Sequence, residues 1–379
     1  MKWPQKASKE QGGTQPDAQR AERRLAVGSA GSATGAQTAA VLATPVRSVV
    51  PAAPVVPLAR IRASLNQQAG SLILYLVVMQ LIGPAVAVAF QIILQSMRRQ
   101  VISIDTALSQ LNGPAAGLMN LTCVATAFVF WVLTHKAQIA DTSTEGIFHR
   151  REHQMTLWVF LGAVALLFTG QAISSIYDMG FTWVLDRLQF KATTTSELID
   201  AASGTVAMFV YASFFGPIVE EIIFRGVIMN ALKRYGKVFA IVTSAAMFGF
   251  FHADLSQGLF AFCVGLVLGY VACEYSIFWS MLLHIVNNLV ISNVLGFILD
   301  KLPTQAQDWA NLAMIVVGIL LGLLVVYLGR VRIRAFIESN RAYKGIYGSW
   351  AGLWFIVYLV LQVAITALEF APVGAQMGL

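Results

Sequence analysis

From Ser71 onward the chain repeats one pattern: an apolar run long enough to cross a bilayer, then a short polar break. A helix needs roughly 20 residues to span the hydrocarbon core, and runs of about that length are read at 71–96, 116–134, 155–176, 204–232, 238–253, 257–273, 276–298, 310–329 and 349–368. In lipid every backbone N–H and C=O must be satisfied within its own segment, so these runs are predicted to be helices. Only 12% of the residues are charged against 57% hydrophobic, about half the charge of an ordinary soluble domain. Too little charge remains to coat a water-soluble body, and the fold class expected is an all-α polytopic integral membrane protein of about eight or nine transmembrane helices.

Ahead of the helices, residues 1–66 are rich in Ala, Gln, Ser, Pro and Arg and carry neither helical nor strand periodicity. They read as a disordered basic tail, with no secretory signal. The remainder divides into N-terminal membrane helices at 67–203, a core at 204–298 that holds nearly all the buried polar chemistry, and C-terminal membrane helices at 299–379. Cys123, Cys263 and Cys273 all fall within or at the end of apolar runs, without disulfide or metal spacing, and read as packing residues.

The net charge of +7 does not indicate nucleic acid. Arg20, Arg23, Arg24, Arg47, Arg60 and Arg62 lie in the tail, Lys136, Arg150 and Arg151 follow the second run, Lys233, Arg234 and Lys237 the fourth, and Arg330, Arg332, Arg334, Arg341 and Lys344 the eighth. Nine crossings with the N-terminus in the cytoplasm place these groups on the positive inside, and a bacterial inner membrane is the setting expected. Arg98 and Arg99 break the rule; a half-crossing first segment, or a kink at Gly83–Pro84, would account for them.

Ionisable side chains within a bilayer are costly, so their positions are informative. Glu220, Glu221 and Arg225 lie in the fourth run, His252 ends the fifth, and His284 and Asn288 lie in the seventh. At 1.5 Å of rise per residue, Glu220 lies about 20 Å from Lys233, His252 about 22 Å from Lys237, and His284 about 12 Å from Ser276. All three can therefore reach one cavity in the middle or cytoplasmic half of the membrane. Residues four apart share a helix face. Glu221 and Arg225 can pair, which leaves Glu220, one position away, free of that cation and available for acid–base work. His284 and Asn288 can present an imidazole and an amide to one point, two donors suited to an oxyanion. Phe248 shares a face with His252 and can wall the site.

In order, the residues spell E-E-x-x-x-R (Glu220, Glu221, Arg225), F-x-x-x-H (Phe248, His252) and H-x-x-x-N (His284, Asn288), with F-R-G at Phe224–Gly226 and G-x-x-x-G-Y at Gly265, Gly269 and Tyr270. Over about residues 204–295 this resembles the CPBP family of intramembrane proteases, which includes the CAAX prenyl endopeptidases and the Abi-type, bacteriocin-processing proteins. The resemblance implies that Glu220 and His252 activate a water, that His284 and Asn288 form the oxyanion hole, and that Glu221 and Arg225 position the site. Only through the resemblance does His252 receive a role. It further implies peptide or protein substrates, prenylated ones among them, in contact with membrane lipid.

No cofactor is favoured. Zinc on Glu220, His252 and His284 is the alternative, since two imidazoles and a carboxylate leave one position open; no H-E-x-x-H is present, and Asn is a poor zinc ligand. Two other readings use the same residues: a non-catalytic membrane scaffold or bacteriocin-immunity-type protein of the same fold, and a proton-coupled transporter with Glu220 and His252 as its relay. Gly265 and Gly269 read as small residues at a close helix crossing.

Overall fold

The computed structural model describes residues 56–113, 115–149, 153–192, 205–368 and 370–372. Residues 1–55, Arg150, Arg151 and the expected boundary at 203/204 lie outside the described residues.

Seven described helices are long and apolar enough to cross a membrane: α1 Leu58–Met97, α3 Ala116–Thr134, α4 Leu157–Leu188, α5 Val206–Tyr235, α7 Leu255–Glu274, α8 Ile277–Leu299 and α9 Thr304–Asn340. The shorter apolar helices α6 Lys237–Phe251 and α10 Leu353–Ala367 complete the set, and α2 Ile104–Leu111 is a small helix between α1 and α3. The chain is thus an all-α polytopic membrane protein. A three-residue antiparallel pair, β1 Phe190–Ala192 with β2 Phe370–Pro372, is the one departure among the described residues. Large apolar side chains on the outer faces, such as Leu320, Leu323 and Tyr327 of α9, are more than half exposed, as lipid-facing residues should be.

Several boundaries differ from the sequence expectation. The helix of the first span begins at Leu58 rather than 71, so residues 58–66 belong to α1 and not to the tail. Their Gln and Arg residues hide the helix from a hydropathy reading, yet Ile61, Leu65, Ala69 and Leu72 are fully buried at helical spacing. Helix α9 likewise runs on to Asn340, so Arg330, Arg332 and Arg334 extend a helix beyond its apolar stretch rather than forming a loop.

Starts are set by side-chain caps. Ser103, Thr156, Thr205, Asp254 and Ser276 each accept a hydrogen bond from the backbone N–H three residues on, satisfying one of the orphan donors of a first turn. Between α5 and α6 the chain reverses at Gly236, whose φ of +129° favours glycine. Helices α1 and α5 share a second device: in each a five-residue π-helical turn, Val78–Ile82 or Tyr211–Phe215, precedes a Gly-Pro pair, Gly83–Pro84 or Gly216–Pro217. Proline lacks the N–H that would continue the ladder, and the wider turn accommodates that loss without breaking the helix.

Helix α5 runs through the interior. From Glu221 to Met229 all but Ile222 are buried, against α6, α7 and α8. Helices α6 and α7 cross closely at the expected small residues. A Cβ on Gly265 would lie 3.0 Å from the Ala245 Cβ and 3.3 Å from Arg225 Nη2, and one on Gly269 would lie 3.1 Å from Ile241. Gly265→Leu should therefore lower stability by about 1–3 kcal/mol through overpacking, read as a drop in melting temperature in detergent. A second crossing uses Gly318 and Gly322 of α9 against Phe168 and Thr169 of α4, where Thr169 Oγ1 donates to the Gly318 carbonyl at 2.9 Å. No disulfide joins the three cysteines among the described residues, and Cys123 and Cys273 are buried.

Candidate functional site

Glu221 is the fixed point of the interior. Its carboxylate is fully buried and accepts three hydrogen bonds: from Arg225 Nη1 at 2.8 Å, from His284 Nδ1 at 2.9 Å and from Ser280 Oγ at 2.6 Å. A buried carboxylate is tolerable only when paired and bonded in this way. The expected Glu221–Arg225 pair is formed, although this stretch of α5 is π-helical from Glu221 to Met229. The Arg225 guanidinium also lies over the Phe248 ring, 4.5 Å from its centroid. Its Nη2 is buried without a hydrogen-bond partner, so the aromatic face is its remaining compensation.

One residue earlier the environment changes. Glu220 keeps 20% of its side chain exposed, and its Oε2 lies 3.6 Å from His284 Nε2. The His284 ring is therefore held between two carboxylates, Glu221 at Nδ1 and Glu220 at Nε2. Because Glu221 accepts at Nδ1, the proton on that nitrogen is assigned, and Nε2 is the nitrogen that faces the open side.

His252 closes the fifth run as expected. Its Nδ1 lies 2.9 Å from the Phe248 carbonyl, which assigns a proton to Nδ1 and leaves Nε2 as an acceptor. Phe248 packs edge-on against both imidazoles, with centroids 4.9 Å from His252 and 5.8 Å from His284. Glu220 and His284 both lie within electrostatic reach of His252. Three separate runs thus bring His252 and His284 to one aromatic wall, with Glu220 beside His284.

Asn288 makes two bonds that its spacing from His284 does not foretell. Its Nδ2 donates to the Ala212 carbonyl of α5 at 3.0 Å, and its Oδ1 accepts from Asn287. The reason is local: α8 widens into a π-helical stretch at Asn287–Val294, so the face predicted from 3.6 residues per turn does not continue unchanged past His284. One N–H of the Asn288 amide is left for another acceptor.

Ser280 lies outside the motifs. Its position four residues before His284, on the same face of α8, was the available signal. Ser280→Ala should cost about 1.5–3 kcal/mol, the range for a hydrogen bond to a charged group. It should also lower turnover more than it raises KM, because it loosens the carboxylate that orients His284; paired melting and kinetic measurements separate the two effects. Tyr75 of α1 and Tyr211 of α5 also come within electrostatic reach of Glu220. Nothing in the sequence connects Tyr75, about 145 positions away, to this site.

Zinc fits poorly. Glu220 and His284 face each other as two ligands could, but among the described residues no three of His, Cys, Asp and Glu gather as a metal-binding group. The Nδ1 of His252 bonds the Phe248 carbonyl and that of His284 bonds Glu221, which leaves each Nε2 as the nitrogen available to a water, a substrate or an ion.

Fold and site together define a polytopic helical membrane protein with a glutamate–histidine cluster buried among its helices. Residues 202–290 match the family described as "Rce1-like: Type II CAAX prenyl endopeptidase Rce1-like", so this segment is similar to membrane proteases of that kind. Among curated proteins it is similar to "Putative membrane peptidase YdiL" of Bacillus subtilis (strain 168), 28% identical over 137 residues. That match covers 36% of this chain, and the chain spans about half, 54%, of the relative's length. No solved structure gives a match.

Proposed function

We propose that this protein is an intramembrane endopeptidase that hydrolyses peptide bonds of membrane-associated substrates, prenylated ones among them. The observation that carries this reading is the His284 imidazole bracketed by two carboxylates, one sealed in the core and one open.

In the proposed reaction Glu220 takes a proton from a water that also hydrogen-bonds to His252 Nε2. The resulting hydroxide adds to the scissile carbonyl carbon, and the π electrons move to oxygen. The oxyanion is met by the second N–H of Asn288 and by the Nε2–H of His284, which in this step carries a proton on both ring nitrogens between its two carboxylates. When the tetrahedral centre collapses, the C–N bond breaks, and the departing amine takes the proton that Glu220 acquired. Glu221 and Arg225 hold His284 in orientation, and Phe248 keeps the surroundings apolar, which strengthens each contact. No step is routed through a metal.

The basic groups at the helix ends favour an N-terminus in the cytoplasm and, in a bacterium, the inner membrane. The substrate bond would then enter between α5, α6 and α8 from the cytoplasmic side or laterally.

The test compares wild type with Glu220→Ala in native membranes, with retained and cleaved peptides read by mass spectrometry. A protease yields products in wild type and trapped, uncleaved peptide in the variant. Identical peptide sets would indicate a scaffold, and loss of proton-coupled uptake without any change in peptides would indicate a transporter.

A further inference from the structure

At the membrane-facing ends of α1 and α5 lies a cavity of about 430 Å³ whose polar lining is Arg60, Ser64, Gln67, Arg234 and Tyr235. It contains no carboxylate, and its remaining lining is aliphatic. Neither Arg60 nor Arg234 is ion-paired among the described residues. Arg234 Nη2 donates to Ser64 Oγ at 3.4 Å, and its guanidinium lies 4.9 Å from the Tyr235 ring centroid. This fixes one cation at the wall of the cavity. The Tyr235 hydroxyl is buried with no hydrogen-bond partner, in a residue only 9% exposed. An orphaned buried donor is costly, and here it belongs to a cavity wall that already carries two guanidinium groups.

We propose that this cavity binds the phosphate of an anionic membrane phospholipid. Two guanidinium groups, a hydroxyl, an amide N–H and a phenol form an all-donor set suited to a phosphate diester, and arginine offers the forked geometry that phosphate oxygens accept. The place decides for a lipid over a soluble anion. Arg60 lies in the first turn of α1 and Arg234 in the last turn of α5, where two membrane helices end and headgroups lie, and basic pockets between such ends hold anionic headgroups. Glu220 is 14 residues before Arg234, roughly 21 Å along the helix, so the lipid site is separate from the glutamate–histidine cluster.

The test is native mass spectrometry of the full-length protein in detergent with equal amounts of phosphatidylglycerol and phosphatidylcholine. Wild type should retain phosphatidylglycerol preferentially. The Arg60→Gln/Arg234→Gln variant should lose that preference by about 30-fold, the effect of removing two arginines from an anionic surface. Tyr235→Phe, which deletes only the phenol oxygen, should weaken retention more mildly at an unchanged melting temperature, and it serves as the test if the double variant does not fold. Equal retention by wild type and these variants overturns the proposal. So does millimolar inorganic phosphate displacing the lipid as readily as added phosphatidylglycerol, which would make the cavity a site for free phosphate.

Discussion

Replacing Glu220 with Gln should lower turnover by roughly 10³-fold, within the range that a positioned general base supplies, while folding and substrate affinity stay near wild type. The amide matches the carboxylate in size and keeps its polarity but cannot take a proton from water. Folding should persist because Glu220 is a fifth exposed and its one ion-pair contact among the described residues is with His284 at 3.6 Å; the buried network is held by Glu221. The measurement is kcat and KM on a quenched peptide in proteoliposomes, with a melting curve for each variant. A loss confined to KM, or turnover within a few-fold of wild type, would remove Glu220 from the chemistry.

The largest stability effect is expected at the neighbouring position. Glu221→Leu or Arg225→Leu alone should cost about 3–5 kcal/mol, because each strands a buried charge. In the Glu221 variant, Arg225, His284 and Ser280 all lose their shared acceptor. In the Arg225 variant, a carboxylate with no exposed surface loses its cation. Combining both changes should recover a substantial part of the loss, since no unpaired charge remains and apolar side chains of similar volume fill the space. Activity should not return, because His284 would still lack the group that orients it. Thermal unfolding of the single and double variants in one detergent gives the coupling directly. Additive losses would show that the pair acts as two independent residues.

The contrast between these adjacent glutamates was partly legible before any coordinates. The four-residue spacing identified Glu221 as the partner of Arg225 and left Glu220 over; the ion pair forms as expected, while Glu220 still acts on Arg225 from a distance. The shared depth of Glu220, His252 and His284, reckoned from helix rise alone, likewise agrees with the two imidazoles meeting at Phe248 and with Glu220 lying 3.6 Å from His284. Asn288 was less legible. A periodicity of 3.6 assumes an uninterrupted α-helix, and the widened turns at Glu221–Met229 and Asn287–Val294 leave no mark in residue type. The start of α1 was missed for another reason: hydropathy averages over all faces, whereas Leu58–Ser71 is apolar on one face only, the face it buries.

Sequence by itself determined that the chain lives in lipid, that its apolar runs are helices, and which few polar groups the membrane is made to hold. These follow from transfer energies and helix geometry, which act residue by residue. Tertiary structure alone decided that Ser280 and His284 complete the shell of Glu221, that Tyr75 from a distant helix comes within electrostatic reach of Glu220, and that Arg60 and Arg234 flank one cavity. Such contacts depend on how helices far apart in the chain rotate and cross, and that is fixed by the packing of whole surfaces rather than by any local pattern of residues.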